Sequence, residues 1–150
     1  MDLISGLIKF LPAKLVFAHC DIPCGIYDPH AAQLAAKTVL KMVQKINEEP
    51  LPENGEPEAI KESVIKYENA MSRYVLTKEQ HAEICKKEIL ILWTDYFKAE
   101  HLEKFPDLHD LVWKTAKLCS DNKRAVDEAK ANELIEAVDK IADIFNQTKK

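Results

Sequence analysis

Glycine is scarce in this chain, with three residues in 150. A β-sandwich or barrel needs many tight turns and the left-handed backbone that glycine supplies, so those architectures are excluded. Helix breakers are also missing from the middle of the chain, since neither proline nor glycine occurs between Glu58 and Phe105. Basic charge is not in excess: 21 Lys and Arg stand against 25 Asp and Glu, for a net charge of -4 and a pI near 5.8. Such a surface offers phosphates no basic face, which argues against nucleic acid as a partner. Four cysteines are too few for a disulfide scaffold. No stretch provides the ~20 uninterrupted apolar residues of a membrane span. The most apolar one, residues 1–18, is broken by Lys9, Pro12 and Lys14, and Asp2 stands where a secretory signal carries positive charge.

What is present is a chain 47% hydrophobic and 31% charged, long enough for one domain with its own core. Asp28-Pro29 reads as an N-cap followed by proline at the first helical position, opening a helix that carries Leu34, Thr38, Val39, Met42 and Ile46 and fades near Asn47. A proline-rich loop, Pro50 to Gly55, comes next. Pro57 opens a second helix whose seam runs Ile60, Val64, Tyr67, Met71, Tyr74, Lys78, His81, Cys85, Ile89, Leu92 and Tyr96. It is expected to end around Lys98, with a kink near residue 76 if Thr77-x-x-Gln80 acts as a capping box. Pro106 begins a short third helix on Leu108, Leu111, Val112, Thr115 and Leu118, stopping near Ser120 to Asn122. A fourth, from about Arg124 to Gln147, carries Leu134, Val138, Ile141 and Phe145. Four amphipathic helices with short connections predict an all-α, up-down four-helix bundle.

The chemistry is concentrated in His19-Cys20-Asp21-Ile22-Pro23-Cys24-Gly25-Ile26-Tyr27-Asp28-Pro29. Two thiolate donors four positions apart, beside an imidazole, suit a transition metal rather than magnesium or calcium. Spacing alone leaves open that these cysteines are simply buried thiols. Pro23 and Gly25 supply turn chemistry that can bring Cys24 back toward Cys20. Elsewhere, Cys85 and Cys119 fall inside helical patterns and are expected in the core, while His30, His101 and His109 lack ligand spacing.

The run HCDIPCGIYDP, together with LWTDYFKAEHLEKFPDLHDLVWKTAK at 92–117, closely resembles the nickel-containing superoxide dismutases, particularly their cyanobacterial-type members. The resemblance extends from His19 onward. It implies a leader, residues 1–18, removed by a protease between Ala18 and His19, and a mature domain 19–150 that begins with a metal-binding hook at 19–28. One nickel ion per subunit would then be held by the freed α-amine of His19, the backbone nitrogen of Cys20 and the thiolates of Cys20 and Cys24, with the His19 imidazole as an axial ligand. An uncut chain would offer a delocalised peptide nitrogen in place of the amine. The implied reaction is disproportionation of superoxide to dioxygen and hydrogen peroxide through a Ni(II)/Ni(III) cycle, with anionic donors making the higher state accessible. Tyr27 and Asp21 would shape substrate access, and the Ile22-Pro23 bond would be cis.

One departure stands out. The glutamate and arginine that support the axial imidazole in the better-known family pattern correspond here to Ala35 and His81, so His81 is the candidate to orient His19. The resemblance further implies a cytoplasmic homohexamer, with a nickel chaperone as a candidate partner and no membrane association. Two other classes fit the residues less well: a metal carrier using the same hook without turnover, and a helical interaction module whose cysteines only pack. Superoxide consumption separates the first, and nickel retention after cysteine substitution the second.

Overall fold

The computed structural model describes residues 25–149. They form five α-helices: α1 His30–Glu48, α2 Pro57–Ile91, α3 Ala99–Lys104, α4 Leu108–Arg124 and α5 Glu128–Thr148. A π-helical turn, Leu92–Tyr96, ends α2. No strand occurs among the described residues. The four longer helices pack as a ring in chain order, with α5 closing back on α1. Neighbours run antiparallel: Gln33 meets Asp139 and Gln44 meets Glu128 across α1 and α5, while Lys78 meets Asn122 and Lys86 meets Ser120 across α2 and α4. This is the expected up-down bundle, with α3 as an unexpected short helix in the α2–α4 connection. Among the described residues no helix is long and apolar enough to cross a membrane.

In α1 the stripe Ala32, Ala35, Ala36, Val39 and Val43 is buried. Its small side chains let α1 approach its neighbours closely. The helix begins at His30, one residue later than expected, and the Asp28 carboxylate accepts the His30 N–H at 2.7 Å. That bond satisfies one of the donors a helix start leaves unpaired. At the other end of the chain, the Asp127 side chain caps α5 by accepting the Lys130 N–H.

Pro57 opens α2 as expected, and its 35 residues continue unbroken through Thr77 and Gln80, so no helix restarts there. At 1.5 Å per residue it is about 52 Å long. Its buried residues, Lys78, Ala82, Cys85 and Ile89, all lie in its C-terminal half. Ile60 and Ile65 in the other half are exposed, as is Leu76 just past the midpoint. Cys85 and Cys119 are both fully buried, the Cys85 thiol hydrogen-bonded to that of Cys119. This bond and burial push the Cys85 thiol far above the usual thiol range. Cys85 therefore packs as a neutral core group, and Cys119 beside it is equally buried.

Lys78, read from the sequence as a seam position, is 2% exposed. Its ammonium donates to the carbonyls of Asn122, Lys123 and Ala125 at 2.5, 2.9 and 3.1 Å. The last carbonyls of a helix have no intrahelical partner, and here a cation fills the end of α4. Asn122, also buried, donates to Leu118 and Lys130 carbonyls and joins the two sides of the α4–α5 turn. This support carries α4 to Arg124, beyond the stop expected near Ser120 to Asn122, and α5 starts correspondingly later, at Glu128.

Candidate metal centre

Of the residues singled out from the sequence, His19, Cys20, Asp21, Pro23 and Cys24 lie outside the described residues, as does the Ile22-Pro23 bond. Among the described residues no group of three or more His, Cys, Asp or Glu side chains is arranged to hold a metal ion. The described residues begin immediately after that stretch, at Gly25. Gly25, the residue after Cys24, has φ +90. Side chains with a Cβ rarely adopt that backbone, so glycine is required at this turn.

Two residues further, Tyr27 is half-buried and meets Tyr96 edge to face, with ring centroids 5.9 Å apart. Tyr96 is held from several sides: Phe145 lies 4.4 Å away, His101 stacks at 5.8 Å and Phe97 meets it edge-on at 5.3 Å. His101 is itself fixed, its Nδ1 accepting the Lys98 N–H. The Tyr96 phenol lies 3.0 Å from Thr148 Oγ1, and Thr148 gives its own hydroxyl proton to the Phe145 carbonyl at 2.8 Å. Tyr96 is therefore the donor to Thr148.

The π turn aims this tyrosine. Phe97 N–H bonds to the Leu92 carbonyl at 2.9 Å, a five-residue step that rotates the segment beyond it relative to an α-helix. Together Gly25, Tyr27, Tyr96, Phe145 and Lys149 line a cavity of about 220 Å³. Heptad-like spacing reads Tyr96 and Phe145 only as core positions. The signal that could have separated Tyr96 is its place in the second family-like run, close after Leu92-Trp93. Nothing local marks Lys149.

His81 stands apart from this cavity. It lies fifteen residues before Tyr96 on the same helix, roughly 22 Å along its axis. Half-buried, it places Nδ1 2.9 Å from the Thr77 carbonyl, so Nδ1 carries the proton and Nε2 remains an acceptor when the ring is neutral. Ala35 is 2% exposed and belongs to the core. His30 and His109 are exposed, the latter against Trp93.

The residue types of the Cys-x3-Cys stretch that precedes Gly25, two thiols with an imidazole beside them, are donors of the kind that suit nickel.

Comparison with known proteins agrees. The family model described as nickel-containing superoxide dismutase matches residues 14–149. The superoxide dismutase [Ni] of Streptomyces coelicolor is 39% identical over 141 residues, covering 94% of this chain and 95% of the relative. That of Streptomyces seoulensis is 37% identical over the same shares. A native nickel superoxide dismutase structure superposes with a TM-score of 0.71 at 36% identity, covering 88% of this chain and all of the other. A structure with nickel ligation corresponding to the oxidised state gives 0.69 at 34% identity, covering 87% and 98%. With a family match across almost its whole length, a bundle of the same shape and the tyrosine-walled cavity opening directly after the Cys-x3-Cys stretch, the chain belongs to the nickel-containing superoxide dismutase family.

Proposed function

We propose that this protein is a nickel-dependent superoxide dismutase whose metal site forms at the amine of His19 once residues 1–18 are removed. The observation that carries the reading is the continuity of the site: the ligand stretch ends at Cys24, and from Gly25 onward the chain forms one wall of a cavity completed by Tyr96, Phe145 and Lys149. His19 through its amine and imidazole, Cys20 through its backbone nitrogen and thiolate, and Cys24 through its thiolate would hold the ion. Nickel, when bound, supplies the one-electron Ni(II)/Ni(III) couple by which one superoxide is oxidised to dioxygen and the next reduced to hydrogen peroxide.

The protein's own part is binding and exclusion. Tyr27 and Tyr96 narrow the approach so that a diatomic anion fits more readily than a larger one, and Asp21 shapes the same entrance. Because the Tyr96 phenol is committed to Thr148, its ring is held against Phe145 and cannot swing freely into the opening. Pro23 and Gly25 turn the hook. Residues 19–150 act as one domain, in the cytoplasm, with a leader protease and a nickel chaperone as partners in maturation.

Assembly into a homohexamer is part of this reading. Exposed apolar side chains on α1, α2 and α4, among them Leu34, Ile65, Leu76 and Trp113, give subunits surfaces to bury. His81 is proposed to orient His19, directly or through water, through its accepting Nε2. Replacing His81 with glutamine is expected to change the nickel EPR hyperfine pattern and slow turnover; unchanged values for both would remove His81 from the site.

The deciding experiment compares the uncut and processed chains by intact mass, nickel content and superoxide decay. Processed protein beginning at His19 should hold one nickel per subunit and consume superoxide, while the uncut chain should be inactive. Substantial activity with Met1 still attached would overturn the ligand assignment.

A further inference from the structure

We infer that Lys149 is the cation that draws superoxide into the metal site. The inference rests on the proposed dismutase function and adds to it a residue for substrate recruitment. The substrate is an anion, and the chain carries a net charge of -4, so the molecule as a whole repels it. At physiological salt the Debye length is only about 8 Å, so a local charge near the entrance outweighs the distant ones.

The cavity that Gly25 and Tyr27 enter, directly after the ligand stretch in the sequence, has one charged residue among its described lining, and that residue is Lys149. The other four are a glycine and three aromatic residues, so no other described lining residue offsets the ammonium charge. The position of the charge is built in. Lys149 Nζ sits 5.4 Å from the centroid of the Phe145 ring, a cation–π contact, and the Lys149 N–H bonds to the Phe145 carbonyl at 3.0 Å. Thr148, next to it, bonds both to that carbonyl and to the Tyr96 phenol. The backbone that carries the cation is thus bolted to the aromatic wall of the cavity. The nearby Lys104 ammonium is engaged otherwise, with the Gln147 carbonyl at 3.4 Å and the face of Phe105.

The test has two arms. In processed, nickel-loaded protein, the second-order rate constant for superoxide decay is measured after pulse radiolysis at several ionic strengths. Lys149→Glu should lower it roughly tenfold at low salt and abolish or invert its decline with salt, while nickel content and EPR spectrum stay unchanged. Lys149→Arg should retain most of the rate. Lys61→Glu makes the same change in net charge on the first turns of α2, about 50 Å of helix away from Tyr96, and should leave the rate near that of the parent protein. In the second arm, azide, a small linear monoanion, is titrated into metal-free processed protein and followed by NMR at the Gly25 and Thr148 amides. Lys149→Gln should weaken its binding severalfold, and Lys149→Arg should not. Equal effects of the Lys149 and Lys61 reversals, or azide affinity unchanged by Lys149→Gln, would overturn the inference. If the loaded parent protein consumes no superoxide, the functional reading fails, and the azide titration alone decides the role of Lys149.

Discussion

Exchange of Cys24 for serine is expected to leave a folded protein without nickel, consuming superoxide at least about a hundredfold more slowly. Loss of groups that merely support a ligand already costs roughly 10–100-fold in metal affinity or activity, and Cys24 is proposed as a ligand itself. Serine keeps the size of the side chain but replaces a soft donor that ionises near neutrality with a hydroxyl that does not, and a planar Ni(II) site has little affinity for it. The bundle should survive, because its core is assembled from α1, α2, α4 and α5. Circular dichroism and the thermal midpoint of metal-free protein should therefore match the parent, while metal analysis reports the loss. Cys85→Ala and Cys119→Ala are the controls. Their thiols lie in the core, where they can reach no hook, and both variants should keep nickel while losing some stability to the cavity left behind. Nickel retained at full stoichiometry by Cys24→Ser would sink the proposed ligand set.

The second large effect is on stability. Lys78→Met keeps a long flexible side chain in the seam of α2 and removes the ammonium from the three carbonyls at the end of α4. Charge-assisted bonds are worth more than neutral ones, and unpaired buried acceptors are costly. Against this stands the desolvation of the ammonium, which pulls the Lys78 pKa below its ordinary value, with the Glu79 carboxylate opposing that shift. The balance is expected to be a destabilisation of about 2–4 kcal/mol, lowering the melting temperature by roughly 5–15 °C. Differential scanning calorimetry of the metal-free variant gives the answer. An unchanged midpoint would mean that the cost of burying the charge cancels its three bonds. Nickel binding by the folded variant should be intact, since Lys78 does not line the cavity.

Much of the bundle is written in spacing. The stripe of α5 is legible, with Leu134, Val138, Ile141 and Phe145 all buried. In α1 the expected face is misplaced: Leu34 is exposed, and Thr38, Met42 and Ile46 are half-buried. The buried stripe runs instead through Ala32, Ala35, Ala36, Val39 and Val43, whose alanines carry little hydrophobic signal. Lys78 falls on the seam of α2 by the same interval, but a pattern of positions says nothing of what lies opposite, so the lysine's three carbonyls emerge only when α4 is packed against it. The short α3 and the π turn are not legible, the first for its six residues and the second because it contains the same apolar letters as an α-helix. In the candidate site, Gly25 and Tyr27 stand within one motif. Phe145 and Lys149 come from the far end of the chain and reach it only because α5 closes the ring against α1. Their interval marks a core residue and a solvated lysine, which they would be on most helices.

The π turn has a consequence for how this corner of the molecule can change. Closure of Leu92–Tyr96 as an ordinary α-turn with no residue lost would swing everything beyond it by about 100°. Tyr96 would then leave both Tyr27 and Thr148, and its partners His101 and Phe145 would lose the ring they share. Exchange of Thr94 or Asp95, whose side chains are exposed, leaves the register intact. The entrance to the site is therefore guarded by the backbone geometry of this segment more than by its exposed letters.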